Sequence, residues 1–110
     1  MEISNPKEYT LITSNEISFD EFHAAFSEQK QGNVTNHKII QLSDNLNTTA
    51  DNLLLFLSVA NEHRSNGISF VVICNGIDID QVPDEINVVP TLTEAEDLLE
   101  MEAIERDLGF

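Results

Sequence analysis

Residues 37–75, HKIIQLSDNLNTTADNLLLFLSVANEHRSNGISFVVICN, decide the fold. Ile39, Ile40 and Leu42 supply the apolar content of a strand over His37–Leu42. A helix then opens near Thr48–Asp51, where Thr and Asp suit cap and first-turn positions. It runs to about Arg64 and stops at Asn66-Gly67. Its first turns, Leu53, Leu54, Leu55, Phe56, Leu57, Val59 and Ala60, are apolar round much of the circumference, which predicts burial on more than one side. Ile68–Cys74 is an unbroken apolar, β-branched run, as in a strand covered on both faces. Strand, helix, strand is the unit of a parallel sheet layered with helices.

The flanking sequence extends this unit. Tyr9–Thr13, YTLIT, reads as a first strand. Ser18 and Glu21 form a capping box, followed by Phe19, Phe22, Ala25 and Phe26 at helical spacing. Gln31-Gly32-Asn33 is the stop signal of that helix. Downstream, Asn75-Gly76 turns the chain, and Ile77–Ile86 is a loop or a single helical turn. Asn87–Val89 is a short last strand stopped by Pro90. A final helix opens at Thr91 or Thr93, continues to about Asp107 and ends at Gly109. The reading is one α/β domain over residues 1–110, with a four-stranded, largely parallel sheet and three main helices.

With 110 residues, the chain suits one core without staples. Twenty acids against five Lys and Arg leave a net charge of -15. That field repels phosphate backbones and anionic membranes and favours solubility and basic protein partners. The imbalance is steepest from Gly76 onward, with eleven acids and one base, Arg106. The N-terminal MEISNPKEYT lacks the basic and apolar regions of a secretory signal, and no apolar run is long enough to span a bilayer. The expected location is the cytoplasm, with neither nucleic acid nor membrane as partner.

In open α/β sheets, ligands and partners meet the loops beyond the carboxyl ends of the strands. Here that loop is Ser43–Asp51, a polar run with no Gly-rich phosphate cradle and no nucleophile elbow. No catalytic residue, metal ligand or cofactor is assigned. Cys74, within FVVIC, reads as a buried, inert thiol. His23, His37 and His63 are isolated, so no transition metal is expected. Asp78, Asp80, Asp84 and Glu85 form a carboxylate-rich loop of the chemistry a hard cation takes, but without the spacing of a calcium loop. Ser43, Thr48, Thr49, Asp51 and Asn52 are the candidate regulatory or partner-binding residues. Thr48 and Thr49 stand where backbone N–H groups and the helix dipole would stabilise an added phosphate. The same residues also serve simply as helix caps.

The last helix carries two apolar stripes. Ala95, Leu98 and Leu99 share one face; Met101, Ile104 and Leu108 share another, roughly opposite. The second stripe, followed by Phe110, either folds back on its own domain or packs on a second copy or another protein.

The element order resembles the STAS fold of bacterial anti-sigma-factor antagonists and sulfate-transporter domains. HKIIQLSD, NLLLFLSVANEHRSNG, ISFVVICN and TLTEAEDLL occupy the places of the family's strand, helix, strand and final helix, over roughly residues 37–100. The family opens its central helix with a loop of the type Asp-Ser-Ser-Gly-Leu. Counting back from Gly67 without gaps, the family's phosphorylatable Ser falls on Asp51, its Gly on Asn52, its Leu on Leu53 and the preceding Asp on Thr49. The Ser-Gly pair is thus absent, and Asp51 supplies a permanent charge where the family has a switchable one. The resemblance implies a non-enzymatic regulatory module that binds a protein partner, with a homodimer through Met101, Ile104 and Leu108 as a further expectation. The rival is a small enzyme or an accessory subunit linked to RNA processing, a neighbour or partner of ribonuclease Z, using the acidic 76–86 loop with a divalent cation. Without a His-x-His-x-Asp-His motif, the chain is not that nuclease by itself.

Overall fold

The computed structural model describes residues 1–29 and 36–109. Five strands form one sheet: β1 (Glu2–Ser4), β2 (Tyr9–Thr13), β3 (His37–Gln41), β4 (Phe70–Ile73) and β5 (Asn87–Val89). They lie side by side in sequence order. β2 to β5 are parallel, and β1 runs antiparallel to β2, with Ile3 opposite Ile12. The α/β domain and the largely parallel sheet agree with expectation; the strand count is five instead of four. The added strand, Glu-Ile-Ser, is three residues long and exposed throughout. It has no apolar alternation to announce it, because an edge strand is held by main-chain pairing, whatever its side chains.

Helix α1 (Phe19–Glu28) starts where the Ser18 hydroxyl accepts the Glu21 N–H at 3.2 Å. The Gln31-Gly32-Asn33 stop signal lies outside the described residues, as does Phe110. The central helix is less regular than expected. A turn of α-helix, α2 (Ala50–Leu53), passes through a 3-10 turn, Leu54–Phe56, into α3 (Leu57–Ser65). Its inward line is Leu53, Phe56, Ala60 and His63, whereas Leu54 and Leu55 are exposed. The expectation of burial on more than one side is therefore corrected. The tight turn sets Leu53 and Phe56 three residues apart on the core side and rotates the two leucines between them outward. Gly67, at φ +72, ends α3. The Ile68 N–H reaches back to the His63 carbonyl at 3.0 Å, closing the helix end in a left-handed turn that glycine adopts without strain.

Side-chain alternation divides the sheet into two covered faces. On one, Ile12, Ile40, Leu42, Phe70 and Val72 pack with Phe19, Phe22 and Phe26 of α1 and with Leu53, Phe56 and Ala60. Phe56 is the hub, with its ring edge-on to Phe19 and Phe26. On the other, Tyr9, Ile39, Val71 and Ile73 meet Ala95, Leu98 and Leu99 of α4 (Leu92–Asp107). Thr91 caps α4, accepting the Glu94 N–H at 3.2 Å. Beside this face the Tyr9 hydroxyl donates to Glu96 at 2.5 Å. Burial and that carboxylate push the phenol up to about 12.

The second stripe of α4 does not fold back. Met101, Ile104 and Leu108 are 57 %, 54 % and 66 % exposed. Among the described residues, no helix is long and apolar enough to cross a membrane.

Candidate functional site

The carboxyl ends of β2, β3 and β4 carry the loop the sequence singles out. Beyond β3, the Ser43 N–H donates to Ser14 Oγ at 2.8 Å, tying this loop to the end of β2. A 3-10 turn, Asp44–Leu46, follows, with Leu46 buried. Asn47 then takes φ +51, a left-handed conformation that Asn tolerates better than most side chains. The chain thereby reverses into Thr48 and α2.

The five candidate residues do different things here. Thr49 and Asn52 form a reciprocal capping box. Thr49 Oγ1 accepts the Asn52 N–H at 3.1 Å, and Asn52 Oδ1 accepts the Thr49 N–H at 3.0 Å. Their polar atoms are engaged in opening the helix. Asp51 is exposed in the first turn, where its charge suits the helix dipole.

Thr48 is the exception. Its Oγ1 atom is buried and has no hydrogen-bond partner. It lines the same cleft as Cys74, at the end of β4. Burial and the Asp44 carboxylate push that thiol up, while the Thr48 hydroxyl pulls it the other way. Cys74 is half-buried, where the sequence predicts full burial. Thr48, Ser43, Asp44, Asn47, Cys74 and Asn75 line an open cleft of about 470 Å³. A second cleft, of about 500 Å³, lies between the ends of β2, β3 and β4 and the start of α4, and includes Ser14, Ser43 and Thr91.

The acidic loop does not gather. Asp78 Oδ1 accepts the Asp80 N–H at 3.0 Å, capping a 3-10 turn, Ile79–Gln81. Glu85 faces a cavity at the opposite end of the sheet. Among the described residues, no three His, Cys, Asp or Glu side chains come together as a metal site. The arrangement at the carboxyl ends offers short polar side chains and main chain, without a paired base and nucleophile. It can recognise a surface by hydrogen bonding.

Sequence reasoning missed a second polar region, at the amino ends of β3, β4 and β5. On the α3 side, Lys38 Nζ donates to His63 Nε2 at 3.1 Å, and His63 Nδ1–H donates to the Val59 carbonyl at 2.8 Å. Lys38 is only 6 % exposed and His63 fully buried. Burial lowers the pKa of both. The sequence signal was faint: a Lys at an inward position of a strand, and a His in register with Leu53, Phe56 and Ala60. On the α4 side, the Ser69 N–H donates to His37 Nδ1 at 2.9 Å and the Ser69 hydroxyl to Glu102 at 2.5 Å. Asn87 Nδ2 reaches the second Glu102 oxygen at 3.3 Å. Burial, then the Arg106 charge, lowers the His37 pKa. Compared with family models and with curated proteins, the chain matches none.

Proposed function

We propose that the chain is a non-enzymatic, STAS-like regulatory module of the bacterial cytoplasm that contacts another protein, in the manner of anti-sigma-factor antagonists. Its contact surface is the Ser43–Asn52 loop with the start of the following helix. One observation carries the reading: the Thr48 hydroxyl is buried without a partner at the wall of a cleft at the strands' carboxyl ends. A buried hydroxyl left unsatisfied costs about 1–3 kcal/mol, which a partner that draws the loop open and bonds the hydroxyl would recover. Asp51 and Leu54 at the start of the following helix, and Ile17 in the loop after β2, are exposed and offer charge and apolar area to a partner. The net charge of -15 favours a basic partner surface. Asp51 gives the module a fixed negative charge at the position where the resembled family carries a phosphorylatable Ser. The exposed Met101, Ile104 and Leu108 supply a further contact, most simply a twofold homodimer.

The test compares wild type with Asp51→Lys in affinity capture from the native cell, read by mass spectrometry, alongside thermal melting. The variant should lose the captured partner while its melting temperature changes little. Equal loss of both, or unchanged capture, assigns the segment to helix capping alone. The RNA-processing rival requires the 76–86 carboxylates to converge on a cation, and no observation favours it.

A further inference from the structure

We propose that a cavity at the amino ends of β4 and β5 is a second binding site, for a small oxyanion, a carboxylate or phosphate monoester, held by Arg64 and Arg106. The chain has two arginines, and both line this one cavity of about 320 Å³. Neither lies in an ion pair among the described residues, although the chain carries twenty acids. Arg106 is half-buried, and its hydrogen bond is a long one, 3.4 Å, to Ser69 Oγ. A guanidinium has five N–H donors in a planar fork, so most of those of Arg106 are left for an acceptor. The fork matches the paired oxygens of carboxylates and phosphates.

The wall behind the arginines is organised in advance. Ser69, 2 % exposed, stands between Glu102 and Arg106. Glu102, held by Ser69 and Asn87, is thereby turned to the sheet instead of neutralising Arg106. The network ties His37 of β3, Ser69 just before β4, Asn87 of β5 and Glu102 of α4 together beneath the guanidinium. Arg64 comes from the last turn of α3, next to the left-handed turn at Gly67.

Charge and size narrow the ligand. Glu85 and Glu105 also line the cavity and, with the net charge, repel polyanions such as nucleic acid. The volume is at the small end of ligand pockets, which run to roughly 300–1,000 Å³. A compact molecule with one anionic group towards the arginines and a hydroxyl or ammonium donor towards Glu85 and Glu105 satisfies both. The site lies at the opposite end of the strands from the proposed partner surface and does not depend on it.

The test is a 1H–15N NMR titration of the full chain with phosphoethanolamine, inorganic phosphate, acetate and ethanolamine, at ionic strength matched with sodium chloride. Saturable shifts of the Gly67, Ser69 and Asn87 amides are expected with phosphoethanolamine, weaker ones with phosphate or acetate, and none with ethanolamine. The order of phosphate and acetate identifies which oxyanion the site takes. Arg106→Gln and Arg64→Gln should each weaken binding roughly tenfold, the scale of one charge-assisted hydrogen bond. Arg64 is exposed, so its replacement keeps the test valid if Arg106→Gln fails to fold. Shifts no larger than those of sodium chloride, or binding unchanged in Arg64→Gln, overturn the proposal.

Discussion

The two ends of the parallel strands are built on opposite plans. At the carboxyl ends, the polar atoms are short and mostly engaged locally: Thr49 and Asn52 cap α2, Ser14 ties down Ser43, and one hydroxyl, Thr48, is left over. At the amino ends, charge is carried inward. Lys38 and His63 are buried on the α3 side, and Ser69, Glu102 and Arg106 join in a network on the α4 side. The fold's usual site keeps its carboxylates, Asp44, Asp51, Asp78 and Asp80, exposed to water, and its usual structural end holds the costly buried groups. A buried ammonium is tolerated only with a partner, so the amino end should dominate both stability and its response to pH.

The largest expected effect tests that asymmetry. His63→Leu removes the acceptor of a buried ammonium and should lower the unfolding free energy by roughly 1.5–3 kcal/mol, the range for a hydrogen bond to a charged group. Lys38→Met with His63→Leu should recover most of this, since an apolar pair of similar volume asks for no solvation. Urea denaturation of the single and double variants measures both. A double variant as unstable as the single would mean that packing around the imidazole, and not the pair, matters.

Acidification sharpens the comparison without mutation. The imidazoles of His63 and His37 have folded pKa values below the usual 6.5, each lowered first by burial. The unfolded chain therefore binds protons more readily than the folded one. Stability should be full above pH 6.5 and decline as the pH falls through that value towards the depressed ones. Replacing His63 by Leu in the double variant should flatten this decline. Lys38 acts in the same sense at the alkaline end, since burial lowers its pKa from 10.5. Tyr9 opposes it: with its phenol raised from 10.0 to about 12, stability should fall as the pH rises through that interval. Urea midpoints across the pH range test all three.

At the carboxyl end, Thr49→Ala opens one arm of the capping box and should cost about 1 kcal/mol. A loss as large as that of His63→Leu would break the asymmetry. The smallest effect is expected outside both regions. Ile104 is 54 % exposed, so Ile104→Asp should change the monomer's stability by less than about 0.5 kcal/mol. Sedimentation of the same variant reads the homodimer: association present in wild type and absent in Ile104→Asp supports it, and a wild type that stays monomeric at high concentration and high salt ends it.

Much of this architecture was legible. The unbroken Ile68–Cys74 run predicted a strand covered on both faces, and the Phe19, Phe22, Phe26 spacing predicted the buried side of α1. Both signals arise because burial acts on the local repeat of strand or helix, which sequence displays directly. Ser18 and Thr91 were readable as caps for the same reason: a side chain bonding three residues on needs no distant partner. What local pattern could not decide was what distant segments do for one another. β1 exists through its pairing with β2, and the outward turn of Leu54 and Leu55 comes with the 3-10 turn that sets Leu53 and Phe56 on the core side. Lys38 is paired by His63, twenty-five residues on and 3.1 Å away. Glu102 and Arg106 carry no local signal of their roles, which come from Ser69 and Asn87 on other elements. The sequence by itself determined the elements and their apolar faces, because those depend on neighbours along the chain. The tertiary structure alone decided which charges are buried and paired, because that depends on contacts across the fold, which leave no local period.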